Sequence, residues 1–175
     1  TTDQMRAIGS EDIKGLTTDA LGGLGSTQLG MLTSVQLGAL ASDQLQALAV
    51  TQLRGLTTAQ IASLDTSDFN ALTSDQVAAL ATSQIAALTS NQLGAMTSDD
   101  LAALTTAQVR ALESRDLAAL DSTDLSALTS TQTAALTSQQ LVGLDSADLG
   151  GLSTAAVRGI AASQMAGLTS NQLGA

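Results

Sequence analysis

The chain has 175 residues, a formal net charge of −10, one aromatic residue and no Cys, His or Pro. Without His or Cys the usual catalytic triads and dyads cannot form, so the composition predicts a protein that is not an enzyme and holds no cofactor. The acidic balance disfavours nucleic acid and anionic membrane surfaces, and no apolar run reaches the roughly 18 residues that a membrane-spanning helix needs.

An octapeptide repeat runs from Thr1 to Ala175 without insertion or deletion. Between Leu72 and Ala103 it reads LTSDQVAA, LATSQIAA, LTSNQLGA and MTSDDLAA. With Thr1 in slot one, slots five and eight are apolar, slot two is Ser or Thr, slot seven is small, and slot four is Gln in fourteen copies, Asp in six and Ala in two. Such a fixed period is typical of a repeat array, so residues 1–175 are expected to form a single solenoid.

Each octad predicts one short helix. A single straight helix fails, because every octad would rotate the apolar residues by a net angle of about 80° and spread them around the circumference. Thr in slot one and Gln in slot four form a capping box, as at Thr73 and Gln76, and the flanking Leu72 and Val77 form a hydrophobic staple. Slot two is the alternative N-cap, although only slot one supplies the staple.

The charges follow the same pattern. All sixteen acids fall in slots one, three and four, and five of the six bases fall in slot six. Acids at a helix start and bases at its end suit the helix dipole. The sequence therefore predicts an all-α fold, a tight α-solenoid (superhelix) of about 22 octads with Leu inward and slots three and six outward. Slot seven is expected to be small so that the next superhelical turn can approach closely.

Two irregularities stand out along the chain. Thr133 is the one polar residue in slot five, so we expect a buried hydroxyl without a good partner and a more stable Thr133→Val variant. Glycine returns to slot seven at Gly143, Gly151, Gly159 and Gly167, where it is expected to weaken the helices relative to Ala.

Four pairs of acidic residues occupy slots one and four of the same octad. They are Asp65 and Asp68, Glu113 and Asp116, Asp121 and Asp124, and Asp145 and Asp148. Two carboxylates at this spacing could share a hard cation such as Ca²⁺, although Asp also caps helices as Thr does. The pairs are weak calcium candidates, the fold is expected not to require Ca²⁺, and no other metal, cofactor or catalytic site is predicted.

The pattern Leu-Thr-(Ser/Thr)-x-Gln-(Leu/Ile/Val)-x-Ala, which covers the whole chain, resembles octapeptide arrays in very large exported bacterial proteins that are often called adhesin-like. The resemblance implies a location outside a bacterial cell, or on its surface, and a role as an extended or filamentous structural segment. A haem-binding role, sometimes attached to such proteins, has no support here, because His, Cys and Tyr are lacking.

These observations predict a spacer, stalk or filament building block, with an adhesive or ligand-binding solenoid surface as the alternative. A binding surface would carry an aromatic, apolar or charged stripe, and slots three and six show none, which favours the spacer. Solenoids usually carry atypical polar repeats at their ends, and this sequence has none. The expected partner is therefore the chain itself, by end-to-end or lateral assembly, or the rest of a longer array.

Overall fold

The computed structural model describes residues 2–174, and the side chains of residues 4–174. All regular secondary structure in this range is α-helix, in 22 short helices without a strand, which confirms the predicted all-α repeat solenoid. The chain groups into two compact units, the first ending at Leu88 and the second beginning at Thr89.

The first unit contains eleven helices of four to six residues. They are α1 (Thr2–Ala7), α2 (Ser10–Lys14), α3 (Thr18–Gly22), α4 (Ser26–Leu29), α5 (Ser34–Leu37), α6 (Ser42–Gln46), α7 (Val50–Leu53), α8 (Thr58–Ser63), α9 (Thr66–Asn70), α10 (Ser74–Ala79) and α11 (Thr82–Ile85).

The second unit contains eleven helices of the same kind. They are α12 (Ser90–Leu93), α13 (Ser98–Ala103), α14 (Thr106–Ala111), α15 (Ser114–Leu117), α16 (Ser122–Ala127), α17 (Ser130–Ala135), α18 (Ser138–Val142), α19 (Ser146–Gly151), α20 (Thr154–Gly159), α21 (Ala162–Met165) and α22 (Ser170–Leu173).

The helices start where the capping box predicts. At Thr57 the backbone is extended (φ −71°, ψ 158°), and its Oγ1 accepts a hydrogen bond from the backbone N–H of Gln60. In return Oε1 of Gln60 accepts from the backbone N–H of Thr57 at 2.7 Å. The same slot-one N-cap recurs along the chain, so the slot-one prediction is confirmed over the slot-two alternative. No residue in the range 2–174 has a positive φ, so the chain turns between helices without the left-handed conformation.

Slots five and eight form the core, as predicted. The side chains of Leu53 and Leu56 are buried in this way, while slots three and six face outward. Within each unit a helix packs on the third helix along the chain, as α5 does on α8 and α14 on α17. Because a single helix of this length is marginal in water, its stability depends on this stacking of one turn on the next.

Candidate functional site

The interface between successive turns is built on the slot-four glutamines. Nε2 of Gln60 donates to the backbone carbonyls of Leu29, at 3.0 Å, and Leu32, at 2.7 Å. These carbonyls lie 31 and 28 residues earlier, in the fourth octad back. Since helices pack on the third neighbour and glutamines reach the fourth, one superhelical turn takes between three and four octads.

The same two acceptors recur at nearly every slot-four glutamine within a unit. We call these side chains, with the carbonyls they reach, the glutamine ladder. Its members are Gln36, Gln44, Gln52, Gln60, Gln76 and Gln84 in the first unit, and Gln132, Gln140 and Gln164 in the second.

Each ladder glutamine uses both ends of its amide. At Gln140 the oxygen accepts from the N–H and hydroxyl of Thr137, and the nitrogen donates to the carbonyls of Val109 and Leu112. The side chain is buried, so an unmatched polar atom there would cost about 1–3 kcal/mol. A glutamate could fill the capping box but has no amide protons for the carbonyls.

The ladder has gaps where slot four is Asp or Ala. An ionised carboxylate accepts hydrogen bonds but cannot donate them. The carbonyls at the ladder offsets therefore lack their glutamine donor: Leu37 and Leu40 opposite Asp68, Leu93 and Met96 opposite Asp124, Leu117 and Leu120 opposite Asp148, and Leu125 and Leu128 opposite Ala156.

The acidic pairs act as helix caps. Oδ1 of Asp65 accepts from the backbone N–H of Asp68 at 2.8 Å, and the pairs Asp121 and Asp124 and Asp145 and Asp148 exchange such bonds in both directions.

The fourth pair differs, because one of its members is deeply buried. Oδ2 of Asp116 accepts from the backbone N–H of Glu113 at 3.3 Å, and its Oδ1 accepts from the hydroxyl of Ser90 at 3.1 Å. Within the described range no three metal-ligating side chains come together, and the calcium hypothesis for the pairs stays a prediction.

Two of the acidic side chains have perturbed titration. Burial raises the pKa of Asp68, and the nearby negative charge of Asp65 raises it further. The pKa of Asp124 is also raised, mainly by burial and to a smaller degree by the charge of Asp121, against a hydrogen bond from the backbone of Asp121 that lowers it. Both groups stand at gaps of the ladder, where their neighbours are carbonyl oxygens and acids.

The structure corrects the expectation for Thr133. Its side chain is buried in slot five as predicted, but the hydroxyl has a partner on the next turn, the carbonyl of Ala156 at 2.6 Å. The carbonyls of Thr129 and Ser130 also lie within hydrogen-bond distance. Ala156 replaces the slot-four glutamine, and the small Gly159 lets α20 approach α17 closely, so three unusual residues fit one another.

The slot-seven glycines are also better explained by contact than by helix propensity. A Cβ atom on Gly143 would lie 2.7 Å from Cβ of Ser114, and one on Gly151 would lie 2.8 Å from Cα of Ser122. Gly159 packs in the same way on the carbonyl of Ser130. Close approach of the turns in slot seven is confirmed. The expectation that Ala would strengthen these three helices is wrong, because it would displace the neighbouring turn.

Gly167 differs from the other three. A Cβ atom there would make only an ordinary contact, at 3.4 Å from Val142, so the expectation that Ala would strengthen this helix remains a prediction.

The largest surface depression in the second unit is a polar groove of about 490 Å³. Arg110, Glu113, Arg115 and Gln139 line it. Nε of Arg115 lies 3.0 Å from the carboxylate of Glu113, and both side chains are exposed. An exposed pair of this kind contributes little to stability. Among residues 2–174, no helix is long and apolar enough to span a bilayer.

The sequence analysis assigned the slot-four glutamines to caps and missed their contact with the previous turn. A signal was present, because slot four contains fourteen Gln and no Glu, although Glu serves equally well in a capping box. Only a requirement for amide protons explains that preference.

Comparison with known families adds one match. A family described as the ALTTAQ repeat matches residues 5–42, 45–82, 61–98, 77–114, 109–146 and 141–175. The letters of that description stand unchanged at residues 103–108, in slots seven, eight and one to four. The search of curated proteins returned no match.

Proposed function

Because the chain belongs to the ALTTAQ repeat family, we propose that it is a structural repeat segment without enzymatic activity. It acts as a spacer, stalk or filament building block whose length is set by the number of octads. We further propose a setting outside a bacterial cell. The resemblance to arrays of exported adhesin-like proteins supports this setting.

The observation that carries the proposal is the glutamine ladder. Its amides are buried and hydrogen-bonded between turns, as Gln84 is to the carbonyls of Leu53 and Leu56 at 2.8 Å each. The conserved polar pattern of the octad is thus explained by stacking. The outward slots three and six vary without a pattern, as suits a segment whose surface has no particular ligand.

The proposal is tested by changing the number of octads. Duplicating residues 97–128 adds 32 residues, or four octads, and keeps every slot in place. We expect one cooperative melting transition and a fixed increase in the maximum dimension measured by small-angle X-ray scattering for each added copy.

The matched control duplicates residues 97–124, which adds 28 residues and breaks the octad register. This variant should melt at a lower temperature. A 32-residue insertion that leaves the maximum dimension unchanged would contradict the spacer role.

The alternative, a ligand-binding surface, has the polar groove between Arg110 and Arg115 in its favour. Two guanidinium groups would select an anionic ligand. Titration calorimetry with acidic oligosaccharides supports this alternative if the wild type binds and an Arg110→Ala variant does not. The spacer predicts no heat of binding in either protein.

A further inference from the structure

The last turn of the second unit ends in a face that can accept another turn. Elsewhere in the units slots five and eight are almost fully buried, but Val157 is 41 % exposed and Leu173 is 54 % exposed. A cavity of about 130 Å³ opens between these residues and Ile160, Met165 and Leu168. No glutamine of residues 2–174 donates to the backbone carbonyls of this turn, so this face is the acceptor side of the ladder.

The first turn of the first unit presents the donor side. Its slot-four residues Asp12, Ala20 and Gln28 are exposed, whereas slot four is buried in the middle of the unit. Oε1 of Gln28 accepts from the backbone N–H of Gly25 at 2.8 Å, as in a ladder glutamine. Its amide nitrogen points to no carbonyl of the described chain, so it is available to a new turn.

We propose that the first turn of one copy of this chain docks on the last turn of a second copy and continues the glutamine ladder across the junction. This inference rests on the proposed structural role and adds the surface and the partner. The face is continuous with the stacking interface inside each unit, so the contact repeats the chemistry already described.

The ladder has a direction, and this fixes the geometry of assembly. One face donates from slot four, and the other accepts at the carbonyls of slots five and eight. Two acceptor faces, or two donor faces, do not complement each other. The contact is therefore heterologous, and copies add head to tail instead of closing into a two-fold dimer.

The ladder offsets also show which rungs are missing at the junction. They place Asp12 of one copy opposite the carbonyls of Val157 and Ile160 of the other, and Ala20 opposite those of Met165 and Leu168. Neither side chain can donate. A variant that carries both Asp12→Gln and Ala20→Gln adds two rungs, which should lower the dissociation constant at least tenfold.

Sedimentation velocity between micromolar and submillimolar concentration tests the proposal. We expect a progressive series of oligomers in the wild type, tighter association in the double glutamine variant, and weaker association in Leu173→Asp. Val35→Asp is the control, because Val35 is exposed in an outward slot and should leave association unchanged. Thermal melts confirm that each variant remains folded.

Three results would overturn the proposal: a monomer at every concentration, a plateau at the dimer, or association that neither end variant changes. A folded monomer whose dimension still grows with each inserted set of four octads overturns the docking alone. Loss of that growth overturns the proposed function itself.

Discussion

The hydroxyl oxygen of Thr133 lies 2.6 Å from the backbone carbonyl oxygen of Ala156, which joins α17 to α20 across one turn of the second unit. Ala156 has no amide side chain for the ladder, and Thr133 supplies a different bond between the same two turns. The single polar residue in slot five is thus matched by a change 23 residues later. The octad can vary when both partners of a contact vary together.

Thr133→Val should therefore destabilise the protein by about 1–2 kcal/mol, because the buried carbonyl of Ala156 loses its donor. Urea denaturation of the wild type and the variant measures the difference. Thr133→Ser, which keeps the hydroxyl, should lose less. A higher denaturation midpoint for Thr133→Val would restore the expectation drawn from the sequence.

Gln60→Glu should cost about 2–4 kcal/mol, because it removes both amide donors and buries a charge beside the carbonyls of Leu29 and Leu32. Gln28→Glu is the matched control. That side chain occupies the same slot but is exposed, so the change should stay within about 0.5 kcal/mol. Equal effects at the two positions would mean that the ladder does not stabilise the stacking.

Much of this fold follows from the sequence, and the reasons are local. The capping box of Thr73 and Gln76 is a contact within one octad, so its register predicts the helix start, the inward slots and the outward slots. The number of octads per turn depends on the angles between helices, which no pair of residues in one octad specifies. The second bond of Gln76, to Leu48, spans 28 residues and becomes evident only when the turns are stacked.

Asp124→Gln should stabilise the second unit by about 1–2 kcal/mol, because the longer amide can donate to the carbonyls of Leu93 and Met96 and close a gap in the ladder. Asp124→Asn is the control, since it also removes the charge but is one methylene too short. The difference between these two variants in chemical denaturation isolates the new rung. Equal midpoints would contradict a role for reach.

Gly150 and Gly151 are neighbours with opposite expectations. A Cβ on Gly150 would meet nothing within 4 Å, so Gly150→Ala should stabilise α19 by up to about 1 kcal/mol. A Cβ on Gly151 would lie 2.8 Å from Ser122, so Gly151→Ala should destabilise by about 1–3 kcal/mol. Thermal denaturation of the two variants gives the signs. Stabilisation by both would show that the turns can separate at slot seven without cost.

The raised pKa of Asp68 predicts how stability depends on pH. Its carboxyl holds a proton more tightly in the folded chain than in the unfolded chain, so the folded state binds more protons just above the ordinary value of 3.8. The contribution of this group to the free energy of unfolding therefore falls as pH rises through that window. Asp68→Asn removes the contribution, so its stability relative to the wild type should increase between pH 3 and pH 7.

Asp65→Asn separates the two causes of the shift, because Asn can still cap the helix while the negative charge is lost. Burial is the larger cause, so this variant should reduce the pH dependence contributed by Asp68 without abolishing it. Urea denaturation at several pH values measures each difference. If Asp65→Asn removes the whole dependence, the charge of Asp65, and not burial opposite the carbonyls of Leu37 and Leu40, controls the titration of Asp68.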